Sequence, residues 1–166
     1  MDSRLPIAKK VNPEKLHINK MPEETRQAFL YCTTLPFLNS SSWYLAGGTA
    51  PTLQVGHRQS VDLDFFTLQP SFQETSLERK LFTTGYWKTS FRQNGTIYGI
   101  LKNAKVSFIA YPFFRPSKNL IRCGYVRILT PPDIAAMKIV AISQRGRKRD
   151  FVDLYSYTTK LESLRA

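Results

Sequence analysis

Two carboxylates, Asp62 and Asp64, stand two residues apart in an alternating run from Ser60 to Phe66. Side chains on a strand alternate between faces. The pair therefore shares one face, about 7 Å apart, with Val61, Leu63 and Phe65 on the other. Each charge disfavours ionisation of its neighbour. A divalent cation removes that cost, and Mg²⁺ favours one or two carboxylates completed by substrate phosphates. About a dozen residues upstream, the apolar run Trp43-Tyr44-Leu45-Ala46 ends at Gly47-Gly48-Thr49. A glycine pair lets the backbone turn tightly and approach a ligand closely, leaving N–H groups and the Thr49 hydroxyl for phosphate oxygens. Acidic residues end half-buried strands often enough that Asp62 and Asp64 alone say little. The glycine pair, the spacing and the acidic pair together point to chemistry on a metal-bound phosphate.

A second block lies near the C-terminal end. Thr130-Pro131-Pro132-Asp133 has the form of a helix start, with Thr130 as cap and proline in the first turn. Ile134, Met137, Ala141 and Ile142 then recur at helical spacing. The basic cluster Arg145, Arg147, Lys148 and Arg149 interrupts the stripe, and Asp150 to Tyr155 opens another helical segment. Asp150 and Asp153, three apart, can face one side of that helix. Read alone, the block is a solvated helix with Arg149 and Asp153 as an i,i+4 ion pair.

Leu45-Ala46-Gly47-Gly48-Thr49-Ala50, followed by Gly56-His57-Arg58 and Ser60-Val61-Asp62-Leu63-Asp64-Phe65-Phe66, resembles the nucleotidyltransferase superfamily. Within it the string is similar to the AbiEii-type toxins of type IV toxin–antitoxin and phage-defence systems. The C-terminal block is similar too: a lysine, an arginine seven residues later, then Arg-Asp-x-x-Asp-Leu-Tyr, falling here on Lys138, Arg145, Arg149, Asp150, Asp153 and Tyr155. The resemblance covers about residues 43–157. It implies an α/β nucleotidyltransferase fold, a small mixed sheet with flanking helices and a short C-terminal helical pair. It also implies Mg²⁺ on Asp62 and Asp64, with Lys138 as a third catalytic group. Gly47, Gly48, Thr49, Arg58, Lys138, Arg145 and Asp150 are the expected contacts to the NTP. Lysine suits a triphosphate as a mobile point charge. Arg58 offers a planar fork to phosphate, with a surface salt bridge as its alternative. His57 is read as a structural hydrogen-bonder or a phosphate-side contact, since no Cys/His cluster surrounds it.

The chain departs from the family pattern at one position. Relatives bring a third carboxylate from a later strand reading Lys-Val-Asp-Phe. Here that run is Lys105-Val106-Ser107-Phe108, followed by Tyr111-Pro112. A serine hydroxyl is no general base at neutral pH without an adjacent base. Three alternatives stay open: chemistry on two carboxylates, a substitute acid such as Asp150, or a fold without activity.

The formal charge of +12 favours a polyanionic partner through phosphate neutralisation and counterion release, against the plainer reading of a generally basic protein. With the resemblance, the expected activity is transfer of NMP from an NTP to an RNA acceptor, the tRNA 3′ end being the implied one. A cognate antitoxin is the other implied partner. The rival readings are a silent nucleotide- or nucleic-acid-binding module and an enzyme acting on a small-molecule or protein hydroxyl. No apolar run approaches the roughly 20 residues that span a bilayer, and no signal-peptide core opens the chain, so no membrane partner is expected. Cys32 and Cys123 are expected as buried thiols in a cytoplasmic protein.

These groups need a scaffold. Residues 1–20 read as a basic N-terminal arm, and 21–166 as one domain with a core at about 43–112 and closing helices at about 130–163. Within it, helices are expected over about 22–35, 49–56 and 71–84, with Pro36 ending the first. Strands are expected at 42–46, 60–66, 86–92, 96–101, 105–111 and 124–129, the turns Asn94-Gly95 and Lys102-Asn103 making a meander. The run Tyr111-Pro112-Phe113-Phe114-Arg115 reads as core plus an edge turn, or as a platform for bases.

Overall fold

A computed structural model describes residues 4–40 and 42–165, with the side chains of 145, 157 and 160–165 outside that description. In chain order come β1 (Ala8–Lys10), two 3-10 turns (Pro13–Lys15 and Ile18–Lys20), α1 (Glu23–Cys32), α2 (Pro36–Ser40), β2 (Tyr44–Ala46) and α3 (Thr49–Val55). The acidic strand β3 (Asp62–Thr67) precedes α4 (Glu74–Phe82). Then follow β4 (Trp87–Gln93), β5 (Thr96–Leu101), β6 (Ala104–Ala110), β7 (Leu120–Cys123) and β8 (Val126–Ile128). The helices α5 (Pro131–Arg145) and α6 (Lys148–Arg165) close the chain.

All eight strands form one mixed sheet in the order β1-β7-β8-β2-β3-β6-β5-β4. The pairs β1/β7, β8/β2 and β3/β6 are parallel and the others antiparallel. The acidic strand is thus an inner strand between β2 and β6, where its register is tightly held. Leu63 and Phe65 on one face are buried, while Asp62, Asp64 and Phe66 on the other are half-buried. That division is what period-2 alternation demands of a strand with one face in the core. Phe108 on β6 is a centre of the core: its ring stacks on Phe65 at 5.2 Å and meets Trp43 and Trp87 edge-on at 5.2 and 6.1 Å.

The expected α/β architecture is the one found, with particular differences. The N-terminal segment read as a basic arm lies against the domain. Ala8–Lys10 pairs with Leu120–Arg122, His17 N–H donates to the Leu53 carbonyl at 2.7 Å, and Leu16 and Met21 are buried. The strand expected over 124–129 is the second half of a hairpin. Gly124 is its turn, at φ +55, where a Cβ would press on the Thr33 carbonyl. α1 ends at Cys32, short of the expected Leu35, and Pro36 opens α2 instead of ending α1, because a missing N–H costs nothing in a first helical turn. Thr130 begins α5 without a side-chain cap: its hydroxyl donates to the Asn119 carbonyl at 2.9 Å. Asp133 accepts from the Ser117 and Lys118 N–H groups, both at 2.9 Å, and so ties the loop after β6 to α5.

The meander has the expected turns. Lys102 and Asn103 both have positive φ, the geometry whose twist matches flanking strands. The edge strand β4 carries a bulge between Thr89 and Phe91.

Because Phe108 joins β3, β4 and the Trp43 segment, its truncation to alanine should leave a cavity that none of them can fill. Phe108→Ala is expected to cost about 3–5 kcal/mol of unfolding free energy in urea titration. A loss under 1 kcal/mol would mean that these rings do not form the central packing.

Candidate active site

β2 and β3 run antiparallel with Ala46 opposite Asp64, so the chain leaving β2 turns directly over the acidic pair. The turn is made at Gly47, at φ +64, where a Cβ would lie 2.4 Å from Asp64 Oδ2. A Cβ on Gly48 would lie 2.4 Å from the Arg58 guanidinium. The glycine pair therefore makes room for one carboxylate and one guanidinium at the same corner. Thr49 departs from its expected role. It is fully buried, and its hydroxyl donates to the Asp62 carbonyl and lies 2.8 Å from Ser60 Oγ. It fastens the start of α3 to the start of β3 and does not face the cavity.

That cavity, about 760 Å³, is lined by Gly47, Gly48, Asp62, Asp64, Ser107 and Lys138, with Phe66, Tyr98 and Tyr111 as aromatic walls. A cavity of about 710 Å³ beside α4 brings only Glu74 and Lys80 as charged groups. Ser107 stands in register with Asp64 on the neighbouring strand, and its hydroxyl donates to Asp64 Oδ1 at 2.6 Å. Burial raises the Asp64 pKa, and Asp62 adds to the rise, against lowering by the Ser107 hydrogen bond, Arg149 and Lys138. Asp62 Oδ1 is buried without a hydrogen-bond partner. An unbonded carboxylate oxygen beside a second carboxylate whose charge burial disfavours is a fit for a hard cation with oxygen ligands. Among the described residues no third Asp, Glu, His or Cys joins them, so substrate oxygens or water would complete the shell.

The cationic wall rests on Asp153. This carboxylate is fully buried and accepts from Arg58 Nε (2.7 Å) and Nη2 (3.0 Å), His57 Nε2 (2.8 Å) and Lys138 Nζ (2.8 Å). Burial alone would raise its pKa. The hydrogen bonds from His57, Arg58 and Lys138 outweigh burial and hold it well below the usual carboxylate range. Lys138 Nζ also donates to Asp150 Oδ1 at 3.0 Å. Asp150 is fully buried and, unlike Lys138, does not line the cavity. Arg58 lines the cavity while held on Asp153 by two donors, the buried form of the salt bridge expected as its alternative. His57 takes its structural role. The side chain of Arg145 lies outside the described residues.

Two residues not singled out from the sequence as nucleotide contacts complete the wall: Arg147 and Arg149 are exposed and line the cavity. The signal for them was the basic run itself, but a run does not say which of its members turns inward. Tyr111 lines the cavity and meets Phe66 and Phe113 edge-on, at 5.9 and 5.5 Å, and Phe113 is 78% exposed.

Removing the Asp153 charge leaves the Arg58 guanidinium without its carboxylate and Lys138 with Asp150 alone. Asp153→Asn is expected to lower stability by about 3–5 kcal/mol. Its folded pKa lies below the unfolded value, so its contribution is complete above about pH 4 and fades as pH falls through the folded value. Denaturation at pH 7 and in acid reads both. Equal stability of variant and wild type at pH 7 would show that the hub holds nothing together.

Comparison with known families gives one match. The model of the AbiEii nucleotidyl transferase toxins, type IV toxin–antitoxin system, matches residues 28–116 and 114–164. An uncharacterised protein of Aquifex aeolicus is 36% identical over 142 residues, covering 83% of this chain and 67% of that one. Among solved structures, the antibiotic-resistance factor ANT(2'')-Ia in solution has a TM-score of 0.57 at 14% identity, over 83% of this chain and 85% of its own. Its crystal structure with adenylyl-2''-tobramycin has a TM-score of 0.56 at 14% identity, over 82% and 90%. JHP933 from Helicobacter pylori has 0.52 at 19% identity, over 81% and 66%. At such identities the structures speak for the fold alone. The family match spans most of the chain, and with the Gly47-Gly48 corner over Asp62 and Asp64 it makes this chain a member of the AbiEii nucleotidyl transferase toxin family.

Proposed function

We propose that this chain transfers NMP from an NTP to a hydroxyl of an RNA acceptor, with the tRNA 3′ end as the first acceptor to test. The observation that carries the reading is the acidic pair: two carboxylates on one strand face under a glycine turn, with Asp62 Oδ1 buried and unbonded. Asp62 and Asp64 would hold Mg²⁺, which when bound offsets charge on the triphosphate. Arg147 and Arg149, at the mouth, add positive charge where pyrophosphate leaves. The acceptor oxygen would bond to the α-phosphorus as the bond to pyrophosphate breaks, its proton passing to water. Gly47 and Gly48 keep the floor of the cavity open for the phosphates, and Lys138 stiffens the wall behind them. A net charge of +12 supports a polyanionic acceptor over a small neutral one. A cognate antitoxin protein and a place in phage defence are further parts of the proposal, supported by the family alone.

Ser107 favours a second reading, a nucleotide-binding module with little activity. Its hydroxyl already donates to Asp64 and takes up no proton at neutral pH.

Labelled NTPs incubated with total tRNA and Mg²⁺ test the first reading directly. Asp64→Asn should abolish transfer. Mg²⁺-dependent NTP affinity should fall as pH drops through the raised pKa of Asp64, because a proton and a cation compete for the same oxygens, and Asp64→Asn should lack that dependence. The same Mg²⁺ response at every pH in both proteins would remove the metal assignment.

Ser107→Asp places a carboxylate beside Asp64. It should raise transfer by about 10²–10⁴-fold while changing NTP affinity little, the usual size of a general-base contribution. Without Mg²⁺ the variant should be less stable than wild type, since like charges then crowd one face. If the wild type transfers briskly and the variant is no faster, the position is not the vacant one. If both bind NTP and neither transfers to any acceptor, the module reading stands.

A further inference from the structure

Far along the sheet from the acidic pair, three cationic residues stand in one row. Lys10 on β1 is in register with Arg122 on β7, and Arg122 with Arg127 on β8. Residues in register on neighbouring strands point to the same face, and like charges directly opposite one another destabilise the pairing. Arg127 is half-buried and its guanidinium donates to the backbone carbonyls of Asn39 at 2.5 Å and Trp43 at 3.4 Å, neither of which carries charge. Burial first, and then Arg122, lower its pKa. Arg122 and Arg127 line a cavity of about 450 Å³ with Arg4, Asn39 and Ser42, and among the described residues no Asp or Glu lines it. A concave, polar site where Arg122 and Arg127 meet, with no carboxylate among its described lining residues, fits a phosphate, which Arg binds through paired donors.

The row has a fixed relation to the transfer site. Arg127 is in register with Tyr44 on β2, and Tyr44 with Phe66 on β3, which lines the active-site cavity. From β3 to β7 is three strand spacings, about 14 Å. A stacked strand advances about 3.4 Å per phosphate, so about four phosphates span that distance. We propose that Lys10, Arg122 and Arg127 form a second phosphate site, which holds the backbone of the acceptor RNA away from the reacting end. The proposal rests on the RNA-acceptor reading above and adds to it where the strand lies.

The test is fluorescence anisotropy of a short labelled single-stranded RNA with a free 3′ hydroxyl, titrated over a range of salt. It uses wild type, the double variant Lys10→Gln/Arg122→Gln, and Arg122→Lys. Arg127 is left intact because it holds the Asn39 and Trp43 carbonyls. The double variant should lose about 1.4 from the log–log salt slope, about 0.7 for each phosphate contact removed, and bind on the order of tenfold more weakly at low salt. ATP affinity should not change. Its thermal midpoint should equal or exceed that of wild type, because the cross-strand repulsion is relieved. Arg122→Lys should keep the wild-type slope. An unchanged slope and affinity in the double variant overturns the site. So does loss of the slope in Arg122→Lys, which would show that Arg122 acts through packing. A fall in ATP affinity in the double variant assigns the row to nucleotide phosphates and overturns the RNA assignment. Absence of RNA binding by wild type at low salt overturns the acceptor reading itself, and the row as its contact.

Discussion

Asp153 is the one group of α6 that the rest of the site cannot do without. A fully buried carboxylate is costly unless its lone pairs are met by donors in good geometry. Here Arg58 and His57 come from the loop between α3 and β3, and Lys138 comes from α5. Four donors from three residues on two elements converge on two oxygens, so the helical pair cannot shift relative to the acidic strand without stranding charge. Lys138, Arg147 and Arg149 inherit their positions from that constraint. The role of the C-terminal helices is therefore electrostatic as much as apolar, which fits the large exposed share of α6: Phe151 and Tyr155 are 52% and 71% exposed.

Opposed to this cationic wall is a carboxylate pair in the reverse condition. Asp153 has more donors than a carboxylate usually finds, and Asp62 has an oxygen with none. Asp64 lies between these extremes, with one donor from Ser107 and a pKa raised chiefly by burial. The two sides of one cavity thus differ in sign and also in saturation. On the helix side the charges gathered on Asp153 are satisfied internally and are structural, while Arg147 and Arg149 stay exposed. Charge on the strand side is left for something that enters. Thr49 and Asp150 belong with the first group, and this is why neither faces the cavity although both lie in the blocks that resemble the family.

Much of this was legible in the sequence. Leu63 and Phe65 set against Asp62 and Asp64 is a period-2 pattern that fixes a face, and Gly47-Gly48 before a helix has few other uses. The meander followed from Asn94-Gly95 and Lys102-Asn103, whose turn chemistry is local. What sequence could not carry was non-local. Ala8–Lys10 has no alternation and forms a strand only because Leu120–Arg122 offers an edge. Leu120–Cys123 was hidden because its partner strand was read as beginning at Gly124, the residue that turns between them. Thr49 looks the same in sequence whether its hydroxyl meets a phosphate or the Asp62 carbonyl. The pairing of Arg58 with Asp153, across almost a hundred residues, has no local signal at all.

Both rims of the eight-stranded sheet end in unpaired backbone groups, and the bulge on β4 now takes on a meaning beyond its local twist. Open strands are templates for other chains. On the β4 side the bulge between Thr89 and Phe91 breaks the straight ladder, and Lys88 and Arg92 flank it. On the β1 side the strand is three residues long and carries Lys9 and Lys10, both exposed. A copy of the same chain approaching either rim would meet charge of its own sign and a ladder too short or too bent to extend. A strongly basic protein with a wide sheet can in this way stay dispersed where neighbouring copies would otherwise zip together edge to edge.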